Sequence, residues 1–249
     1  MSEIAFDKYE LKGAYHWTEY FGPVHRINAS TRARYHNVLA ALRDHKLGKG
    51  GRVLDVGCGD GALAGLLAIN LGVDVAGVDT TQLPIGLAQQ EFGKRKLRGD
   101  FRLIDGYRYP FTDGAFNAVV CSDVIEHVRE PAQMLKEMWR VLAPGGVLVV
   151  TTPVRYTEAP LDHNHVQEWF PAEFRRFCEQ ALGAPVEARL THPVAFSELY
   201  SSPSAILGRV TRLGANVLSK LGIDLFARPS GCRAFSAQTV VAVKPGAPA

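Results

Sequence analysis

Apolar residues along this chain follow two rhythms. Short, nearly continuous apolar runs occur at RVLDV (52–56), DVAGVD (74–79), DFRLID (100–105), FNAVVCS (116–122) and VLVVTT (147–152). Runs of this length predict strands buried on both faces. Segments with helical spacing stand between them: GALAGLLAINL (61–71), Leu83–Lys96 and PAQMLKEMWRVL (131–142). Pro84 and Pro131 sit near the starts of the last two, where proline is tolerated. Strand–helix alternation of this kind predicts a parallel sheet with right-handed crossovers. A further helix is expected over Asn28–Leu42, where Tyr35, Val38, Leu39 and Leu42 share one face.

After Pro153 the rhythm changes. A loop rich in His and Pro leads to a helix near Ala172–Leu182, and VEARL (186–190) and FSAQTVVAVK (235–244) read as two final strands. Between those strands, AILGRVTRLGANVLSKLG (205–222) places Ile206, Val210, Leu213, Val217 and Leu221 on one helical face, beside Arg209, Arg212 and Lys220. That face is open to three readings: a lid over an acceptor pocket, which we favour, a dimer face, or a peripheral membrane contact. The first thirty residues show no clean period but carry Tyr9, Tyr15, His16, Trp17, Tyr20, Phe21 and His25. Of these, Tyr15, His16, Trp17 and Tyr20 either close over a ligand or pack on the sheet as an aromatic latch. The terminal GAPA is expected to fray.

Composition narrows the class. A chain of 249 residues, 47% hydrophobic, is long enough for one large α/β domain with additions. Its net charge of +3 gives no nucleic-acid footprint by itself, although a local basic face is compatible with it. Cys58, Cys121, Cys178 and Cys232 form no CxxC pair, so they read as buried free thiols in a reducing compartment. The opening MSEIAFDKYE carries charges where a signal peptide needs apolar residues, and no apolar run reaches the roughly 20 residues of a membrane span. A soluble, cytoplasmic protein is expected.

The chemistry begins at VLDVGCGDGALAG (53–65). Gly57, Gly59 and Gly61 permit a tight turn and close approach of a ligand to bare backbone. Asp55 at the strand end can accept from a cationic amine or from the turn's own N–H groups. Asp79 ends the second strand, where an acid meets ribose hydroxyls. Asp60 inside the turn would repel a pyrophosphate, which favours a cationic ligand bearing an amine. S-adenosylmethionine has both features.

VLDVGCGDG, then GVD, PFTDGAFNAVVCSDVIEHV and LKEMWRVLAPGGVLVVTTP resemble the successive motifs of class I S-adenosylmethionine-dependent methyltransferases, over about residues 50–153. The resemblance implies an α/β, Rossmann-like seven-stranded sheet, with an N-terminal helical segment and a helical insert before the last strand. It divides the chain into a cap segment (1–45) and a methyltransferase domain (46–249, insert about 191–232). It also implies that Asp55, Gly57, Cys58 and Gly59 cradle the methionine part, that Asp79 and Thr80 meet the ribose, and that Asp105 and Gly106 border the adenine. Ser122, closing the fourth strand, joins the cofactor set. Asn117 departs from the usual Asp, at a position expected to end a turn.

DVIEH (123–127) follows the fourth strand. In a helical turn Asp123, Glu126 and His127 would converge, a donor set suited to a divalent metal ion. The loop holding His163 and His165 follows the fifth strand and can reach the same point. The stretch resembles ubiquinone-pathway O-methyltransferases and, in HxHxxEW, small-RNA 3′-terminal 2′-O-methyltransferases. On that resemblance Asp123, Glu126, His127 and His165 are ligands, with Asp123 standing where Glu is usual. The competing reading gives Glu126 and His127 to the cofactor border and the later loop to helix capping. Without a metal, His127 or His165 is the general base. The expected activity is O-methylation of a small molecule or glycan. Alternatives are metal-dependent methylation of an RNA 3′ end and non-catalytic binding of S-adenosylmethionine.

Overall fold

The computed structural model describes residues 8–158, 160, 162–227 and 234–246. Three helices open it: α1 (Lys8–Lys12), α2 (Tyr15–Phe21) and α3 (Ala29–Asp44). The α3 start follows from Asn28, whose side chain accepts from the N–H groups of Ser30 and Thr31 and so satisfies two unpaired donors of the first turn. The alternating part then runs β1 (Arg52–Val56), α4 (Ala62–Leu71), β2 (Asp74–Asp79), α5 (Gln82–Lys94), β3 (Gly99–Leu103), β4 (Phe116–Ser122), a 3-10 turn (Ile125–His127), α6 (Pro131–Val141) and β5 (Leu142–Pro153). It closes with α7 (Pro171–Leu182), β6 (Glu187–Pro193), α8 (Val194–Tyr200), α9 (Ala205–Lys220) and β7 (Phe235–Val243).

The seven strands form one sheet in the order β3-β2-β1-β4-β5-β7-β6. β1 pairs in parallel with β2 and β4, which puts its end at the point where strand order reverses. The expected parallel sheet holds for β1 to β5. β7 runs antiparallel to both β5 and β6, because the chain returns through it from the far edge. Side chains alternate across the sheet: Val53 joins a core with Trp17, Leu42 and Phe92, while Leu54 and Val56 join one with Leu135, Met138 and Phe174.

Two local expectations change. β3 stops at Leu103, so Asp105 lies in the exposed loop beyond it. Asn117 is the second residue of β4 and not a turn end, and its Oδ1 accepts from the Arg52 N–H at 2.9 Å, fixing where β1 begins. Cys58, Cys121 and Cys178 are free and buried, as read from the sequence, whereas Cys232 and most of the GAPA tail lie outside the described residues.

The insert differs most. α9 forms as expected but turns its small and polar side to the protein: Ala215 packs with Ala29, Ala33, Tyr200 and Phe226. Asn216 accepts from the Ala29 N–H at 3.1 Å and donates to the carbonyls of Val24 and Ile27. The apolar row points away, with Ile206 79%, Val210 65%, Leu213 52% and Leu221 71% exposed. It therefore forms no lid, and no α9 residue lines the large cavity described below.

His192, at the end of β6, is buried and its ring Nε2 lies 3.1 Å from the Ser30 carbonyl. Burial, reinforced by the Arg34 charge, pushes its pKa down to about 4. The unfolded chain takes up this proton first, so the stability owed to neutral His192 is complete above the unfolded value and is lost as pH falls through the window from about 6.5 to about 4. Between about pH 6.5 and pH 5 the native protein should lose ~2 kcal/mol more stability than a His192→Asn variant. Urea titrations of both proteins across that range measure the difference.

Candidate active site

The glycine turn is shaped as its sequence requires. Gly57, Gly59 and Gly61 all have left-handed φ, at 70°, 51° and 76°. The N–H groups of Gly57 and Cys58 both donate to the Val78 carbonyl, and the Gly59 N–H donates to Asp79 Oδ2 at 3.0 Å. Asp79 Oδ1 accepts from the Thr81 N–H, so this carboxylate ties the turn to the start of α5. Asp55 lies beneath the turn, 3% exposed, and its Oδ2 meets no hydrogen-bond partner. Burial, reinforced by the Asp79 and Asp60 charges, pushes its pKa up to about 8.

Asp60 behaves otherwise than expected. It is 1% exposed and faces the N-terminal helices, not the ligand side. Its Oδ2 accepts from the His16 N–H in the first turn of α2 at 2.9 Å, and its Oδ1 from the Ala62 N–H at the start of α4. One carboxylate thus serves two helix N-termini, where negative charge is favoured. Its carbonyl accepts from Trp17 Nε1 at 2.6 Å. Gly65 completes this clasp, since a Cβ there would come within 2.2 Å of the Trp17 ring. The aromatic N-terminus accordingly divides its roles. Trp17 and Tyr20 are buried as a latch, whereas Tyr9, Tyr15 and His16 line a cavity over the turn.

That cavity, about 1320 Å³, also reaches Asp55, Gly57, Cys58, Asp79, Thr80, Gly106 and Ser122. Asp105 is not in its wall, because β3 ends two residues earlier and the side chain is exposed. On the opposite side the cavity is bordered by Glu126, His127 and His165. Their donor atoms lie within 4.8 Å of one another.

The 3-10 turn puts Glu126 fully inside. Its Oε2 accepts from Thr152 Oγ1 at 3.0 Å and its Oε1 meets no partner. Burial first, then the Asp123 charge, pushes this carboxyl well above the ordinary range. The Glu126 carbonyl accepts from the N–H groups of Val166 and Gln167, which brings in the loop that carries His165. His127 Nδ1 sits 2.9 Å from the Asn164 carbonyl, and burial lowers its pKa. His165 Nδ1 sits 2.5 Å from Glu168 Oε1. His163 is exposed and stands apart.

Asp123 does not join this group. Its backbone is left-handed, at φ 53°, so the helical spacing that would align it with Glu126 and His127 never begins there. Its carboxylate pairs with Arg34 of α3 and accepts from Thr151 Oγ1. The sequence reading missed Arg34, Tyr9 and Tyr107 among the lining residues. Arg34 falls in an ordinary helical pattern, and only the packing of α3 against β4 and β5 aims it at Asp123.

A family model described as methyltransferase domain matches residues 54–150. A ubiquinone biosynthesis O-methyltransferase of Roseobacter denitrificans is 33% identical over 181 residues, covering 68% of this chain and 72% of that protein. The chain belongs to the class I S-adenosylmethionine-dependent methyltransferases. A protein of the same name from Ruegeria pomeroyi is 30% identical over 68% of this chain and 72% of its own length. Among solved structures, Haemonchus contortus phosphoethanolamine N-methyltransferase 2, in complex with phosphomonomethylethanolamine and S-adenosylhomocysteine, shares the fold with a TM-score of 0.68 and 20% identity, covering 98% of this chain and 60% of that one. In this methyltransferase no helix among the described residues is long and apolar enough to cross a membrane.

The clasp gives a direct test. Asp60→Ala removes acceptors from two helix starts and is expected to cost about 1–2 kcal/mol. Trp17 fluorescence should shift toward that of a solvated indole before global unfolding in urea, while the wild type loses both signals together.

Proposed function

We propose that this methyltransferase transfers a methyl group to a hydroxyl oxygen of a small molecule or glycan. The observation behind the proposal is that the glycine turn and the Glu126–His127–His165 cluster open onto one cavity. The names of the relatives support oxygen as the acceptor. The aromatic wall of Tyr9, Tyr15 and Tyr107 suits a flat acceptor such as a phenol. That wall and the nearly balanced charge of the chain favour such a molecule over an RNA 3′ end.

The residues present fit S-adenosylmethionine. The orphaned Asp55 oxygen faces a need for a donor that an α-amino group meets, with Gly57, Cys58 and Gly59 offering backbone around it. Asp79 and Thr80 are assigned to the ribose, and Ile104 and Gly106 to the base, without Asp105. Ser122 borders the same space. Bound S-adenosylmethionine supplies an electrophilic methyl group on sulfur. The protein's part is to hold the acceptor oxygen in line and to take its proton. Without a bound cation, we assign the proton to His127, with His165 fixed beside it by Glu168.

Glu126, His127 and His165 also fit a divalent cation. Two imidazoles and a carboxylate with a spare oxygen form a transition-metal donor set, and a cation there would lower the acceptor's pKa. Asp123, engaged with Arg34, is left out of that set.

Incubation with S-adenosylmethionine and a panel of phenols, glycosides, amines and a 3′-hydroxyl RNA, read by mass spectrometry, tests the acceptor. Methyl on a phenolic or sugar oxygen is expected. Methyl on nitrogen or RNA alone would overturn the proposal. Glu126→Gln, His127→Ala and His165→Ala should each lower kcat by about 10²–10⁴ while leaving S-adenosylhomocysteine affinity within about threefold. Dialysis against EDTA should lower turnover, with recovery on Mn²⁺ or Zn²⁺; unchanged turnover would remove the cation and leave His127 as base.

Asp55 makes cofactor binding pH-dependent. Its carboxyl holds a proton at neutral pH, and an incoming ammonium displaces it. Affinity for S-adenosylhomocysteine should therefore rise as pH goes from about 6 to about 8. Calorimetry in buffers of different ionisation enthalpy should register proton release at pH 7, and Asp55→Asn should abolish it.

A further inference from the structure

Helix α9 is amphipathic in the reverse sense of an ordinary surface helix. Gly208, Ala215 and Asn216 are buried against the protein, while Ile206, Leu207, Val210, Leu213, Val217 and Leu221 are exposed on the opposite side. Leu199, Ile223 and Leu225 extend the exposed apolar surface at both ends of the helix. A contiguous apolar patch of this kind on a folded domain marks an interaction surface.

Charge selects the partner. From Leu199 to Leu225 the chain carries Arg209, Arg212 and Lys220 against one acid, Asp224, whose Oδ1 accepts from the Phe226 N–H, and Arg212 is turned to the protein, where it donates to the Tyr200 carbonyl. Arg209 and Lys220 flank the apolar row on one side by helical spacing. An isologous dimer through this face would set those cations near their own copies, which opposes pairing. An anionic surface would attract them. The helix has sixteen residues, short of the ~20 that span a bilayer, so the geometry suits lying in an interface and not crossing it.

We propose that α9 docks this methyltransferase onto an anionic lipid surface, with Ile206, Val210, Leu213 and Val217 entering the acyl boundary and Arg209 and Lys220 meeting lipid phosphates. The inference stands apart from the acceptor's identity. Its structural link to catalysis is short: Asn216 and Tyr200 bind the Ala29 N–H, and Asn28 and Thr31 line the cavity. The docked helix and the cavity wall thus share one segment of backbone.

Cosedimentation of the full chain with vesicles of phosphatidylcholine containing about 30 mol% phosphatidylglycerol tests the proposal. Binding is expected, at least tenfold weaker to pure phosphatidylcholine and weakened by high salt. Val210→Asp with Leu213→Asp should remove it while circular dichroism and S-adenosylhomocysteine affinity stay unchanged, since both residues are exposed and away from the cavity. Ile206→Ser with Leu213→Ser serves if the charged pair misfolds. Wild-type protein left in solution with both vesicle types overturns the proposal. So does undiminished binding by folded variants, or a dimer that these substitutions split without any lipid binding.

Discussion

A carboxyl group with an oxygen that finds no partner is costly to bury, and Asp55 is held in that state at the end of the central strand. Its strand is hydrogen-bonded on both sides, so it cannot shift to find water. The turn above it has no side chain at three positions, and the donors that might have satisfied Asp55 are spent elsewhere: Gly57 and Cys58 on Val78, Gly59 on Asp79. The surroundings thus concentrate one unmet need at one place. A ligand bringing an ammonium group meets it, and the rest of the cavity is arranged around that point.

Glu126 repeats the pattern across the cavity, fully buried with one oxygen occupied by Thr152 and the other open. Two carboxyls kept short of partners face one space at the C-terminal ends of neighbouring parallel strands. Folding alone would favour apolar residues at both positions. Their presence is the mark of a site whose energetics are completed by what it binds.

The alternating core was legible because buried strands and amphipathic helices leave different periods in a chain, and RVLDV through VLVVTT contain few exceptions. The glycine turn was legible because its backbone angles are closed to most other residues. Three things were hidden. Asp60 reads as part of a ligand loop, but the N-terminal helices that claim its oxygens lie forty-odd positions earlier and carry no signal of that pairing. Asp123 reads as one turn of helix with Glu126 and His127; a single left-handed residue separates them. Periodicity located the apolar row of α9, yet a row of that kind does not say whether it faces inward. Here Asn216 decides, since its amide bonds three backbone groups of the segment it packs on.

That same asparagine joins positions 187 residues apart. The Val24 and Ile27 carbonyls and the Ala29 N–H are bonded by a side chain that emerges from the ribosome after most of the sheet has been made. The stretch from Val24 to Ala29 is therefore among the first parts synthesised and among the last to gain all its hydrogen-bond partners, whereas the aromatic residues before it can settle on Asp60 as soon as the first strand and turn are made.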